Sequence, residues 1–306
     1  MNNNNPDLSV CIAGVKFSNP VIAASGTFGY GKEYAGMVNA AELGGVCTKG
    51  LTLKARTGNK GVRIWETPSG LLNSIGLENP GIKHFIRHEL PALREMGAVV
   101  IANLSGATIE EYTEGAALLN GTSIDMIELN ISCPNVRDGG MAFGLDPARA
   151  ASVVAPVRKA CSKPLIVKLS PNAPDIKAVA AACVNKGADA LSVVNTFTGM
   201  AIDIKKRAPV FNNITAGLSG PAIRPIALRI TWELAAAVNV PVIGLGGIAS
   251  ACDALEFLMA GAAAVEVGAA TFCHPQTMIE IIEGIKGYMI ENSVSCLNEL
   301  KIKRQQ

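Results

Sequence analysis

Short apolar runs recur along the chain, and each gives way to a segment with a different rhythm. The first four are P-V-I-A-A-S from Pro20, G-G-V-C-T-K-G from Gly44, G-A-V-V-I-A-N-L-S from Gly97 and D-M-I-E-L-N-I-S from Asp125. The next four are P-L-I-V-K-L-S-P from Pro164, A-D-A-L-S-V-V-N-T from Ala188, V-P-V-I-G-L-G-G-I from Val240 and A-A-A-V-E-V-G-A-A from Ala262. Most are apolar at consecutive positions, which suits parallel strands covered on both faces. Between them, residues 82–96, 109–119, 146–161, 175–186, 223–238, 251–259 and 277–290 carry apolar side chains at helical spacing. Several of these end in a glycine just before the next strand, at Gly97, Gly187 and Gly261, a common stop for a helix.

Eight strand and helix units in this length predict an α/β fold of the (β/α)8, or TIM barrel, type, with residues 1–306 as a single domain. A doubly wound open sheet is the rival. It binds nucleotide after its first strand, and the first run here lacks G-x-G-x-x-G. The opening L-S-V-C-I-A-G-V-K-F reads as an N-terminal hairpin capping the barrel bottom. Insertions follow the second strand (51–80) and the sixth (197–220). Both leave strand C-termini, the face where barrel active sites lie, so both are candidate lids.

Composition narrows the partners. A net charge of +2 with 17% charged residues points neither to nucleic acid nor to an acidic membrane surface. No apolar run approaches the roughly 20 residues of a membrane span. The start, M-N-N-N-N-P-D-L, has neither the basic segment nor the apolar stretch of a signal peptide and reads as a frayed tail on a cytoplasmic protein. The eight cysteines form no C-x-x-C pair, which argues against disulfides, zinc and iron–sulfur ligation, so no metal site is expected. Most are expected to be reduced, buried fillers. His84 and His88 share a helix face, read as solvated because H-E-x-x-H is absent. His274 reads as structural and K-I-K-R-Q-Q as a solvated tail.

The polar residues at strand ends are coherent. Ser25, Lys49, Asn103, Asn130 with Cys133, Lys168, and Asn195 with Thr196 would all face one mouth. Two lysines within apolar runs are the sharpest feature, because desolvating an ammonium demands an anionic partner. That partner is either a bound anion or a core carboxylate such as Glu128 or Glu266. The glycine-rich turns G-L-G-G-I-A-S and E-V-G-A-A-T-F expose backbone N–H groups where many barrels hold phosphate. With the lysines and asparagines beside them, they favour a phosphate-bearing cofactor. A sugar-phosphate aldolase or isomerase using Lys49 or Lys168 as a Schiff base fits the same turns. A non-catalytic scaffold does not explain so many polar groups at one mouth.

The motifs also carry a family resemblance. A-S-G-T-F-G at 24–29, T-K-G-L-T at 48–52, N-S-I-G-L-E-N-P-G at 73–81 and N-I-S-C-P-N at 130–135 resemble the dihydroorotate dehydrogenases of pyrimidine synthesis. V-K-L-S-P at 167–171, Asn195–Thr196, A-G-L-S-G at 216–220 and G-L-G-G-I at 244–248 extend the resemblance over nearly the whole chain. It implies an FMN-containing barrel that oxidises dihydroorotate to orotate. N-I-S-C-P-N-V followed by G-G-M-A-F-G looks like the NAD-linked kind, whose partner subunit carries FAD and a 2Fe–2S cluster in a heterotetramer built on a homodimer. The fumarate-using homodimers are the close alternative.

By position, the resemblance makes Cys133 the catalytic base. It assigns Lys49, Asn73, Asn130, Asn195 and Thr196 to the substrate, with backbone from the Ser74, Ile75, Gly76 and Leu77 loop. Ser25, Lys49, Gly50, Asn103, Asn130 and Lys168 would meet the flavin. Backbone around Val194, Gly220, Gly246, Gly247, Gly268 and Ala269 would cradle its ribityl phosphate. Ala269 departs from the threonine such proteins often carry, which removes a hydroxyl from that cradle.

Overall fold

The computed structural model describes residues 5–132 and 143–303. Strands β1 (Val10–Ile12) and β2 (Val15–Phe17) form an antiparallel hairpin. β3 (Val21–Ala23) and β4 (Gly45–Cys47) open the barrel, and β5 (Ile64–Thr67) and β6 (Gly70–Asn73) lie in the first insertion. β7 (Val100–Leu104), β8 (Met126–Asn130), β9 (Leu165–Lys168) and β10 (Ala190–Val193) continue the barrel. The second insertion holds β11 (Phe197–Met200), β12 (Ile202–Asp203), β13 (Ala208–Pro209) and β14 (Thr215–Ser219). β15 (Val242–Leu245) and β16 (Ala264–Val267) complete the barrel. The parallel strands close in the order β3-β4-β7-β8-β9-β10-β15-β16, the barrel expected from the alternating pattern.

Alternation along each strand explains why the runs look uniformly apolar. One set of alternate residues, including Val100, Ala102, Leu104, Ile127, Leu129, Leu165 and Val167, packs in the large core with the surrounding helices. The other set points into the barrel. Its lower layer is Ile22, Ile101, Met126, Ile166, Ala190, Ile243 and Ala264, and Ile12 and Phe17 of the hairpin join that cluster. The hairpin therefore plugs the barrel bottom. Two residues further along five of these strands the inward positions turn polar: Asn103, Glu128, Lys168, Ser192 and Glu266, all buried. A side-chain period of two places them one layer above the apolar plug, on the side of the strand C-termini.

The helices match the expected spans to within two residues: Ile109–Asn120, Pro147–Ala160, Ile176–Asn185, Arg224–Ala237, Ala251–Met259 and Thr277–Glu291. The exception is the first, where Ile82–His84 and Leu90–Glu95 flank a wider π turn at Phe85–Glu89. Thr108, Asp146, Asp175 and Ser250 cap their helices through side-chain oxygens that accept from the backbone N–H three residues on. At the other end, Gly187 N–H donates to Val184 O and Ala188 N–H to Cys183 O, and Gly261 and Ala262 repeat the pattern on Leu258 and Phe257. Both glycines have positive φ, 99° and 108°, as this stop requires.

The insertions hold a feature the pattern did not predict. β5, β6, β14 and β11 form one four-stranded sheet in the order β11-β14-β6-β5. The two candidate lids are thus one structure, joined where β6 pairs antiparallel with β14, Asn73 opposite Gly217. The cysteine expectation also needs correcting. Of the described cysteines, all free, only Cys47, Cys161 and Cys183 are buried; Cys11, Cys252 and Cys273 are exposed and Cys296 is intermediate. Cys11 lies on the outer side of the hairpin, away from the plug, which helical or strand runs alone do not reveal.

Candidate active site

A cavity of about 340 Å³ opens at the C-terminal ends of the barrel strands. That is within the usual range for small-molecule sites, roughly 300–1,000 Å³. Its wall is assembled from distant parts of the chain. Ser25 follows β3, and Lys49 and Gly50 follow β4; Asn73, Ile75, Gly76 and Leu77 come from the end of β6 and the loop beyond. Asn130 and Lys168 end β8 and β9, and Val194, Asn195 and Thr196 follow β10. Gly220, Gly246, Gly247, Gly268 and Ala269 close the far side.

Two expected residues are placed otherwise, and a third is not described. Ser74 is buried beneath the loop, where its Oγ and carbonyl oxygen both accept from Asn59 Nδ2 at 3.1 Å. Asn103 lies below the cavity wall, and its Nδ2 donates to Glu128 Oε1 at 2.6 Å. Cys133 lies outside the described residues.

The two lysines differ more than the sequence suggested. Lys168 is buried, its Nζ 3.2 Å from Glu128 Oε1 and 3.1 Å from Glu266 Oε2. The core-carboxylate partner holds for this lysine, with both acids at once. Burial alone would lower the Lys168 ammonium, but the two carboxylates hold it well above its ordinary range. Lys49 is not buried in a strand. β4 ends at Cys47, so Lys49 already stands in the mouth, with its side chain 30% exposed. Its acidic neighbour is Glu78, at 4.0 Å, which in turn pairs with Arg63 at 2.8 Å. Lys49 therefore offers its ammonium to the mouth and not to the dry core.

The asparagines form a network around a residue that sequence reasoning passed over. Asn130 Oδ1 accepts from Ser132 Oγ at 3.1 Å and from Asn195 Nδ2 at 3.3 Å, and Asn195 Nδ2 also donates to Ser132 Oγ at 2.8 Å. Tyr112 Oη donates to the Asn130 carbonyl at 2.8 Å. Ser132 thus bridges the side-chain amides of Asn130 and Asn195. Its place in N-I-S-C-P-N was a usable signal, but an alternating pattern gives serine no special weight.

Backbone conformation explains the glycine turns. Gly246 and Gly247 have φ of 124° and 77°, and Gly220 has 101°. A Cβ on Gly247 would meet Gly220 O at 2.8 Å and Arg224 N at 2.9 Å, so this turn is closed to any other residue. Gly268 is different: a Cβ there would make only ordinary contact with Ala24. Ile64 and Leu71, from the inserted sheet, also line the cavity, and only the cross-strand pairing brings them there. The His84 and His88 rings lie tilted against each other, 4.5 Å apart between centroids, and line no part of it. His274 pairs with Glu280 at 2.7 Å on the exposed surface.

Cys47, Glu128 and Glu266 hold ligand-type atoms within 4.8 Å of one another, a cluster that could suit a cation. The Lys168 ammonium takes that part.

This arrangement of strand-end groups agrees with a family-wide match. The dihydroorotate dehydrogenase family pattern matches residues 7–289. The chain belongs to this family. It is 58% identical to the dihydroorotate dehydrogenase B (NAD(+)) catalytic subunit of Petrotoga mobilis, covering 96% of this chain and 98% of that one. The proteins described in the same words from Geotalea daltonii and Thermoanaerobacter pseudethanolicus are 55% and 51% identical, each over 96% of this chain and 97% of its own length. In this dihydroorotate dehydrogenase family member, the strand-end residues Ser25, Lys49, Asn130, Lys168, Asn195 and Thr196 line one cavity. Among the described residues no helix is long and apolar enough to cross a membrane.

Proposed function

We propose the following account of how this cavity works. The chain is the catalytic subunit of an NAD-linked dihydroorotate dehydrogenase and serves pyrimidine biosynthesis. The observation that carries the reading is the meeting, in one cavity, of Lys168, Asn130, Asn195 and Thr196 with the closed glycine turn at Gly246–Gly247.

These residues fit FMN. The Gly220, Gly246 and Gly247 backbone offers close approach to a phosphate, while a buried ammonium on the floor suits a ring that gains negative charge. Gly268 and Ala269 complete the phosphate side. Ser25, Gly50, Val194 and Lys168 would hold ring and ribityl chain, with Asn103 acting from beneath through Glu128. When bound, FMN supplies the acceptor for the hydride that leaves C6 of dihydroorotate.

The chain's own side chains do the rest. Lys49 binds the substrate carboxylate. Asn73, Asn130, Asn195 and Thr196 offer donors and acceptors that match the alternating N–H and C=O edge of the pyrimidine ring. The backbone of residues 74–77 closes over it. Cys133 removes the C5 proton as thiolate. A free cysteine titrates at about 8.5, and a nearby cation lowers that value, so the reaction speeds up with pH until the thiol is ionised. Electrons leave through a cytoplasmic partner subunit carrying FAD and a 2Fe–2S cluster and reach NAD, in a heterotetramer built on a homodimer of this single-domain chain.

Anaerobic single-turnover reduction by dihydroorotate tests the account. The Cys133→Ala protein should retain its flavin and its substrate affinity yet be reduced slower by about two to four orders of magnitude. Near-normal reduction would remove Cys133 as the base. A self-sufficient dimer that reduces fumarate and captures no iron-containing partner would overturn the NAD-linked assignment.

A further inference from the structure

The polar layer beneath the cavity holds more acid than its one cation balances. Four titratable groups meet there: Cys47 on β4, Glu128 on β8, Lys168 on β9 and Glu266 on β16. Ser192 on β10 and Asn103 on β7 face the same point. Cys47 is a neutral thiol, since burial and the adjacent Glu128 push it well above its ordinary range. With both glutamates ionised, the layer would carry a net negative charge at nearly zero solvent exposure. Two carboxylates sharing one site do not both ionise readily.

The hydrogen bonds say which acid gives way. Glu128 accepts from Ser192 Oγ at 2.7 Å, Asn103 Nδ2 at 2.6 Å, Cys47 Sγ at 3.2 Å and Lys168 Nζ at 3.2 Å. Every one of these donors favours its ionised form. Glu266 accepts from Lys168 through Oε2, while Oε1 is buried with no partner among the described residues. Glu266, unlike Glu128, also lines the cavity.

We propose that the Glu128–Glu266 pair retains one proton in the working protein, held on Glu266, and that this proton keeps the cavity floor neutral beneath the redox group that Lys168 meets. Glu266 is then a positioning residue that acts through Lys168. The proton itself follows from the cluster alone; its effect on electron affinity rests on the flavin reading above. The titration behaviour agrees: burial, the Glu128 charge and the hydrogen bond to Glu128 push the Glu266 carboxyl up, while Lys168, that same bond from Glu266 and the Ser192 and Cys47 donors hold Glu128 down against its burial.

Infrared spectroscopy of the purified protein, with its cofactor and after stripping it, tests the proton directly. Glu128 and Glu266 are the only fully buried carboxyl groups among the described residues, so an acid carbonyl stretch at neutral pH belongs to this pair. We expect that band, sensitive to D2O, in the wild-type protein, and its loss on alkaline titration. It should be missing from Glu266→Gln. It should also be missing from Glu128→Gln, where Glu266 ionises against Lys168. No acid band in the wild type at neutral pH overturns the proposal, and this holds even if the variants fail to fold. A band that survives in Glu266→Gln places the proton on the wrong residue.

The midpoint potential of the bound flavin tests the consequence. At neutral pH, Glu266→Gln should match the wild type to within tenfold in the electron equilibrium, about 30 mV for a two-electron couple. On raising the pH the wild type should fall below the variant as Glu266 ionises. A gap larger than tenfold already at neutral pH overturns the proposal. An acid band in a protein that binds no flavin supports the proton and removes the flavin reading instead.

Discussion

Lys168 shows how much of a residue's role depends on its neighbours. Its charge and its apolar strand were legible in the sequence, as were Glu128 and Glu266, the two acids in otherwise apolar runs. What the sequence could not supply was that all three point inward at one level, which depends on barrel register. Replacing Lys168 with Met should destabilise the protein by about 3–5 kcal/mol, the usual cost of leaving buried charge uncompensated, as measured by urea unfolding. Ser192→Ala removes one donor, 2.7 Å from Glu128 Oε2, and should cost about 1–3 kcal/mol. Lys49 was misread for a related reason. G-V-C-T-K-G looks like one strand, but its ladder ends at Cys47, and no local property of Thr48 or Lys49 marks that end.

At the scale of the element, the helices were the most legible part, because their capping residues and glycine stops act locally. Two glycines give a controlled comparison. Gly97 has a φ of 75°, and a Cβ there would meet nothing closer than Ala41 at 3.6 Å. Gly97→Ala should therefore cost about 1–2 kcal/mol from backbone conformation alone. Gly121 ends its helix at φ −79°, with open space around it. Gly121→Ala should be neutral or stabilise by up to about 1 kcal/mol. Thermal unfolding of the two variants separates the effects. The strands β5, β6, β11 and β14 were far less legible. They carry no long alternating run, and they are held by pairing across distant parts of the chain.

For the molecule as a whole, the barrel interior has a dry end and a charged end. Phe17 is fully buried in the plug at the dry end. Phe17→Ala should cost about 3–5 kcal/mol, and a denaturation midpoint would register it. The charged end makes stability depend on pH in two directions. Against its burial, Lys168 and the hydrogen bonds from Glu266, Ser192 and Cys47 hold Glu128 below its ordinary value, so its contribution is present above that ordinary value and is lost as the pH falls from there to the lowered folded value. Burial and the Glu128 charge hold the Glu266 carboxyl above its ordinary value. Its contribution is present in acid, below that ordinary value, and is lost as the pH rises from there to the raised folded value. From weakly acidic to neutral pH, between the ordinary and the raised value of Glu266, the melting temperature of the wild type should decline more steeply than that of Glu266→Gln. Parallel declines in that window would place the loss elsewhere in the fold. The barrel itself was legible because eight similar runs repeat. The charge balance inside it was not, because it arises only when strands far apart in sequence close into a ring.

The sheet shared by the two insertions has a consequence for grafting. β6 and β14 satisfy each other's backbone through Leu71, Leu72 and Asn73 opposite Ser219, Leu218 and Gly217. Moved alone onto another barrel, either insertion would present an unpaired strand edge beside exposed Ile64 and Trp65, or beside Met200 and Ile202. Such an edge recruits a second chain and aggregates. The two insertions therefore depend on each other: a variant that lost one would have to blunt or discard the other before it could stay in solution.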